Sequence, residues 1–205
     1  MRSSVYRCAL LASLLVLAGC VPDNVADYDF KALQPPAPPV ELTGFALEGE
    51  AQAGSLTAEL FADRGGAHLG YNQLQLRVAE NGAAVTEARI RLDAQALTGP
   101  SAGLSVPIEQ PSTMAHPDGH FEAGAFLLHP DTTAQPFEIT ATVETLDGTT
   151  ETLTFTVEAR ADLWVQQQGD LFASWVQPAR PVVGQNPFEV AVHRWTGTAF
   201  EPVSG

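Results

Sequence analysis

The sequence has little that would support catalysis or nucleic-acid binding. Its 205 residues include two cysteines, Cys8 and Cys20, so the rest of the chain has no thiol for a nucleophile, a disulfide or a thiolate metal site. The chain has ten lysines and arginines and 24 aspartates and glutamates, which give a formal charge of −14. This charge repels nucleic acid and anionic lipid headgroups. No H-E-x-x-H motif or phosphate-binding glycine loop is present. We therefore expect a protein that is not an enzyme and that does not bind nucleic acid.

Long apolar runs are also scarce, and the one conspicuous run is at the N terminus. Residues 9–18 carry no charge, but a stretch of about ten residues is half of what a membrane-spanning helix needs. The run ends in Leu17-Ala18-Gly19-Cys20, which resembles the lipobox of a bacterial lipoprotein. The resemblance implies that residues 1–19 are a removed signal peptide and that Cys20 becomes the acylated first residue.

The anchor also indicates a location. Lipid, rather than a basic patch, would attach this acidic chain to a membrane. Val21 stands where an inner-membrane retention aspartate would sit in sorted lipoproteins. The expected location is therefore the cell envelope, facing the periplasm, and the outer membrane in a Gram-negative cell. Residues 20–41 then form a tether, stiffened by Pro35-Pro36-Ala37-Pro38-Pro39, because polyproline geometry extends a chain by about 3 Å per residue.

From about Leu42 onward the apolar residues recur at every second position, as they do in strands with one buried face. The clearest examples are residues 74–78, 137–143 and 153–157. Asp147-Gly148 predicts a two-residue type I′ hairpin turn, and Asn81-Gly82 predicts another turn after the strand 72–80. Short strands with turn residues between them predict an all-β fold, specifically an immunoglobulin-like antiparallel β-sandwich.

The chain repeats the pattern G-x-N-x-φ-x-φ-x-V, where φ is an apolar residue, in residues 70–78 and 184–192. The repeat divides the folded part into one sandwich over residues 42–160 and the beginning of a similar unit over 163–205. Because the second unit is short, either the sequence is truncated or a degenerate unit packs on the first. We favour truncation, since a fragment of a few strands would leave an apolar face open.

Alternation also predicts where several large side chains lie. Of the three tryptophans in the second unit, Trp175 falls in a row with Leu171 and Ala173 that we expect to face the core. A sugar-binding platform is the alternative role for such a tryptophan. His68 and His193 are expected at the surface.

Several short motifs resemble the YtkA-like/FixH-like domain. They are Gly70-x-Asn72 at a strand start, Glu87-Ala88-Arg89-Ile90, Met114-Ala115-His116-Pro117, Gly119-His120-Phe121-Glu122 and Phe137-Glu138-Ile139. The similarity covers about residues 68–145 and continues over 169–205. It implies an immunoglobulin-like sandwich of bacterial envelope proteins, often lipoproteins and sometimes in tandem, with copper handling in some relatives. The chain keeps only Met114 of the family's methionine-rich stretch and has Phe121 in place of a tyrosine.

A cluster of metal-ligating residue types lies in a Pro- and Gly-containing loop. Met114, His116 and His120 fall within seven residues, and His129 follows one strand later. Thioether and imidazole ligands together suit copper, Cu(I) especially, and a turn at residues 117–119 would bring the two nearer histidines together. These four residues are the candidate metal site, with copper as the candidate cofactor. The alternative is a solvated loop with polar turn histidines.

The sequence thus predicts a membrane-anchored envelope lipoprotein whose β-sandwich is a non-catalytic binding or interaction module. Its partners would be the membrane, through the lipid, and an envelope protein docked at a sheet edge or loop. The alternative function is a periplasmic copper-binding domain that uses residues 114–129.

Overall fold

The computed structural model describes residues 44–161, 164–177 and 185–203. The predicted signal peptide, Cys20 and the tether of residues 20–41 lie outside these residues. Thirteen strands account for most of the described chain: β1 (Ala46–Ala53), β2 (Leu56–Ala62), β3 (Gly70–Glu80), β4 (Ala83–Ala84), β5 (Ala88–Ala96), β6 (Ile108–Glu109), β7 (Phe121–Leu127), β8 (Gln135–Thr145), β9 (Thr150–Ala159), β10 (Val165–Gln168), β11 (Leu171–Gln177), β12 (Glu189–Trp195) and β13 (Phe200–Pro202). In these ranges no helix is long and apolar enough to cross a membrane.

The strands form three antiparallel sheets. The first has the order β1-β2-β3-β7-β6, with β4 also paired to β3; the second is β5-β8-β9; and the third is β10-β11-β12-β13. The first two sheets bury one continuous apolar core between them, and β1 packs against β9. Phe121 in the first sheet and Phe137 and Ile139 in the second are among its largest fully buried side chains. The predicted all-β antiparallel sandwich is confirmed.

The period of two predicts the burial of the sandwich strands correctly. In β8 and β9, inward and outward residues alternate over most of the strand, and apolar residues occupy the inward positions. The same holds for Leu74, Leu76 and Val78 in β3. Alternation is sufficient here because each of these strands has one face on the core and one face in solvent.

The two predicted turns have different outcomes. Asn81 and Gly82 both have positive φ, at 50° and 82°, and they join β3 to β4 as a type I′ turn requires. At the β8–β9 hairpin, only Gly148 has a positive φ, and the predicted two-residue turn is wrong. The loop has three residues, because the Thr145 N–H bonds the Thr149 carbonyl while the Gly148 N–H bonds the Thr145 carbonyl. The Asp147 carboxylate stabilises this form by accepting hydrogen bonds from the Thr145 hydroxyl and the Thr149 N–H, which also lower its pKa.

The repeated G-x-N pattern has a clear structural basis in its first copy. The Asn72 side chain is fully buried; its oxygen accepts a hydrogen bond from the His68 N–H at 2.9 Å. Its amide nitrogen donates to the carbonyls of His68, at 2.7 Å, and Gly70, at 3.0 Å. The asparagine therefore satisfies buried backbone groups where the chain enters β3. In the second copy Gly184 lies outside the described residues.

The third sheet packs on the sandwich through β11, which contacts β3. Its inner face contributes Phe172, Val176 and Phe200 to the apolar core. This packing agrees with the alternative in which a degenerate second unit packs on the first unit. The domain boundaries at 42–160 and 163–205, and truncation of the sequence, stay predictions.

Candidate metal site at the 116–120 turn

The residues His116 to His120 form a tight turn that leads into β7. The Gly119 N–H bonds the His116 carbonyl at 2.8 Å, and the His116 N–H bonds the His120 carbonyl at 2.7 Å. Pro117 suits the first corner of such a turn because its φ is fixed, and Gly119 accepts a φ of 85°. The turn therefore places the two histidines directly opposite each other.

The histidine rings are parallel, and a carboxylate faces both of them. The ring centroids are 4.8 Å apart with an interplanar angle of 2°. Glu122, the second residue of β7, brings one carboxylate oxygen to 3.3 Å from His116 Nε2 and the other to 3.2 Å from His120 Nε2. One potential ligand atom from each residue fits within 4.8 Å of the other two, as a metal ion would require.

The three side chains differ in exposure. The side chain of His120 is 5% exposed, whereas those of His116 and Glu122 are 46% and 34% exposed. Asp118 Oδ1 lies 2.7 Å from His120 Nδ1, outside hydrogen-bond geometry, so this buried nitrogen has no hydrogen-bond partner in the described structure. The turn also borders an open groove over the first sheet that Glu59 and Arg77 help to line. The site thus has a rigid buried histidine and an accessible side.

The other two predicted ligands have different environments. His129 is 1% exposed, and both of its ring nitrogens are already bonded: Nδ1 accepts from the Asp131 N–H at 3.0 Å, and Nε2 lies 3.1 Å from the Thr98 carbonyl. It follows the opposite end of β7 from His120, nine residues and about 30 Å of extended chain away. The structure therefore does not place His129 in the cluster. Met114 is 54% exposed, and its backbone forms an isolated bridge with Glu87.

The prediction that His68 and His193 lie at the surface is wrong, because both are buried. His68 lies in the loop between β2 and β3, where Arg64 Nη1 is 3.1 Å from its Nε2. His193 faces inward from β12 and packs on Phe126 with ring centroids 4.6 Å apart; burial lowers its pKa. The His193 environment is created by the third sheet packing on the first. The His68 ring is held by Arg64 and the Gly66 carbonyl of its own loop and also lies near Trp164, which directly precedes the third sheet.

Arg64 is the main polar link between these two sheets, and the sequence gives no signal for it. Its guanidinium donates to the carbonyls of Tyr71 at 3.1 Å and Val176 at 2.9 Å, and lies 4.4 Å from the Trp164 ring centroid. Asp63 supplies a buried countercharge at 3.5 Å. A lone arginine in a loop would normally be assigned to the solvated surface.

The predicted core-facing row of β11 is also wrong. Phe172, Ser174 and Val176 are the buried residues, whereas Leu171, Ala173 and Trp175 lie on the outer face and are half-buried. The register explains this, because Phe172 pairs with His193, whose ring packs on the sandwich. Trp175 pairs instead with the exposed Val190 and makes an edge-to-face contact with Phe188, which is 69% exposed. We call Trp175, Phe188 and Val190 the outer patch.

Comparisons with known proteins find similarity among solved structures. No protein-family model and no curated protein matches the sequence. Among solved structures, a DUF4426 family protein (PA0388) from Pseudomonas aeruginosa PAO1 is similar, with 18% sequence identity, a TM-score of 0.42, and coverage of 56% of this chain and 99% of that one. A similarity of this extent carries no functional argument, and the resemblance to the YtkA-like/FixH-like domain stays a prediction.

Proposed function

We propose that this chain is a lipid-anchored protein of the bacterial cell envelope, and that its β domain is a non-catalytic module that binds a transition-metal ion at the 116–120 turn. One observation supports the binding role above all: two stacked histidines share a carboxylate within metal-ligand reach. Imidazole and carboxylate are common ligands of such ions. This proposal keeps the predicted loop but replaces Met114 and His129 with Glu122.

The binding role is tested with the full mature chain, purified in detergent and dialysed against Cu²⁺, Zn²⁺ and, under reducing conditions, Cu⁺. We expect one ion per chain. The double variant His116→Gln/Glu122→Gln should lose it, while Glu144→Gln, which removes another partly exposed carboxylate, should retain it. If the parent protein binds none of the three ions stoichiometrically, the proposed metal-binding function is overturned.

The anchor is tested separately through Cys20. Mass spectrometry of the membrane fraction should find no peptide from residues 1–19 and a lipid-modified Cys20, because acyl chains are what hold this acidic chain to a bilayer. A Cys20→Ser variant that is still processed and still sediments with membranes would contradict the proposal.

An envelope protein partner is the second candidate ligand, and the outer patch is the observation that favours it. Its exposed aromatic and β-branched side chains lie together, as they do at many protein interfaces. A photo-crosslinking residue at Phe188 should give a discrete adduct in intact cells. The same residue at Leu146, which is 76% exposed on the β8–β9 loop, is the control. Equal labelling from both positions would remove the support for a partner at this patch.

A further inference from the structure

The geometry of the turn identifies the class of ion more closely than the residue types in the sequence do. We propose that the site selects a divalent ion of the Zn²⁺ and Cu²⁺ type over Cu⁺, that Nε2 of His116 and His120 and the carboxylate of Glu122 are its ligands, and that Asp118 orients His120. This inference rests on the proposed metal-binding function and specifies its ligand.

The spacing of the three ligands fits a small tetrahedral ion. With bonds of about 2.1 Å, such an ion holds its ligand atoms about 3.4 Å apart. Glu122 places one oxygen 3.3 Å from His116 Nε2 and its other oxygen 3.2 Å from His120 Nε2, and one potential ligand atom from each residue lies within 4.8 Å of the other two. Rotation of the half-exposed His116 ring and of the Glu122 carboxylate can bring the three ligand atoms to the tetrahedral spacing while the buried His120 stays fixed.

The ligand types determine the preferred oxidation state. Cu⁺ prefers soft sulfur ligands, whereas imidazole and carboxylate together suit Zn²⁺ and Cu²⁺. Two nitrogens and one carboxylate also leave a fourth position, and the exposed sides of His116 and Glu122 open it to water or to a ligand. Mg²⁺ and Ca²⁺ prefer all-oxygen sites with more ligands, so the two imidazoles disfavour them.

Asp118 has the place of an orienting carboxylate. It lies 2.7 Å from Nδ1 of His120, the ring nitrogen that does not face Glu122. Carboxylates in this position commonly accept the second N–H of a metal-bound histidine, which leaves Nε2 unprotonated for the metal. Asp118 is 64% exposed, so its side chain has room to move from the present contact into a hydrogen bond when Nε2 binds an ion.

The experiment measures affinities of the full mature chain in detergent for Zn²⁺, Cu²⁺ and Cu⁺, each against a competing chelator, with electron paramagnetic resonance of the Cu²⁺ form. We expect Cu²⁺ to bind more tightly than Zn²⁺, the order usual for such ligands, and the Cu²⁺ spectrum to report two imidazole nitrogens. His116→Gln should reduce the number to one and weaken Zn²⁺ binding at least tenfold. Asp118→Asn should keep both nitrogens and weaken binding by about 10- to 100-fold.

Met114→Leu is the matched control, because it removes the one sulfur ligand near the turn and should change none of these values. His116, Asp118 and Met114 are all substantially exposed, so their variants should unfold like the parent. Tighter binding of Cu⁺ than of Cu²⁺, with loss of Cu⁺ in Met114→Leu, would overturn the choice of ion but keep the proposed metal-binding function. Absence of binding for all ions would overturn both.

Discussion

Replacing Arg64 with methionine should separate the contribution of the third sheet from that of the sandwich. The substitution keeps most of the aliphatic volume but removes the donors to Tyr71 and Val176 and the contact with Trp164. It also removes the positive charge of Arg64 that lies 3.5 Å from the carboxylate of Asp63, a residue that is 5% exposed. Removing one partner of a buried ion pair typically costs about 3–5 kcal/mol, and we expect a loss of unfolding free energy in this range.

Urea unfolding followed by tryptophan fluorescence measures this loss directly, because all three tryptophans, at 164, 175 and 195, belong to the segment that Arg64 holds. Arg64→Lys keeps the charge but not the planar fork, so it should lose about half as much. Arg91→Met is the control. Arg91 is 75% exposed and forms an ion pair with Asp93 of the same strand, so this substitution should change the unfolding free energy by no more than about 0.5 kcal/mol. A loss below about 1 kcal/mol for Arg64→Met would refute the assigned role.

Two further predictions concern the same contact between sheets. Burial lowers the pKa of His193, so the unfolded chain binds a proton at this residue more readily than the folded chain does. The stability that neutral His193 provides is therefore complete above the unfolded-state pKa of about 6.5. It is lost as the pH falls below 6.5 and through the lower pKa of the folded state. The parent should therefore lose more unfolding free energy between pH 7.5 and 5 than His193→Gln does, and parallel pH profiles would contradict this. Deleting residues 163–205 should leave a cooperative unfolding transition by circular dichroism, because the sheets that contain Phe121 and Phe137 close the main core by themselves. The transition should shift to lower urea concentration, since Phe126 loses its cover; absence of any transition would show that the third sheet is needed for the first core.

The sandwich could be predicted from the sequence because its signals are local. Alternation over 74–78, 137–143 and 153–157 identifies the strands, and Asn81-Gly82 identifies a turn through the φ angles that it permits. The β8–β9 turn was harder, because Asp-Gly is compatible with two turn types. The choice between them depends on the hydrogen bonds that the Thr145 hydroxyl and the Thr149 N–H donate to the Asp147 carboxylate.

Burial in the third sheet could not be predicted, because alternation divides a strand into two rows without saying which row faces inward. The row with Trp175 is more apolar than the row with Ser174, so composition favours the wrong face. Packing decides the outcome through residues far away in sequence: Arg64 binds the Val176 carbonyl, and Phe126 meets His193. The contact with Phe126 also buries His193, which lies on the predicted polar row of its strand.

The metal site depends on a turn geometry that the chain uses twice, and this allows a direct test. The segments 116–122 and 145–151 read H-P-D-G-H-F-E and T-L-D-G-T-T-E, and their turns have the same pair of backbone hydrogen bonds. The shared Asp-Gly therefore accounts for the turn, and the two histidines account for the proposed chemistry. In the His116→Gln/Glu122→Gln background, which should bind no ion at the 116–120 turn, the added substitutions Thr145→His and Thr149→His should place two imidazoles opposite each other, with Glu151 at the equivalent position.

We expect this variant to regain one bound Cu²⁺ with two nitrogen ligands in the resonance spectrum, but with lower affinity than the parent. Thr145 is 7% exposed, so a histidine there has less freedom to move toward an ion than the half-exposed His116 has. Thr145→His alone is the control for folding and for single-histidine binding. A folded double variant without copper binding would show that the turn and the ligand types are insufficient, and that the surroundings of His120 in β7 are an essential part of the site.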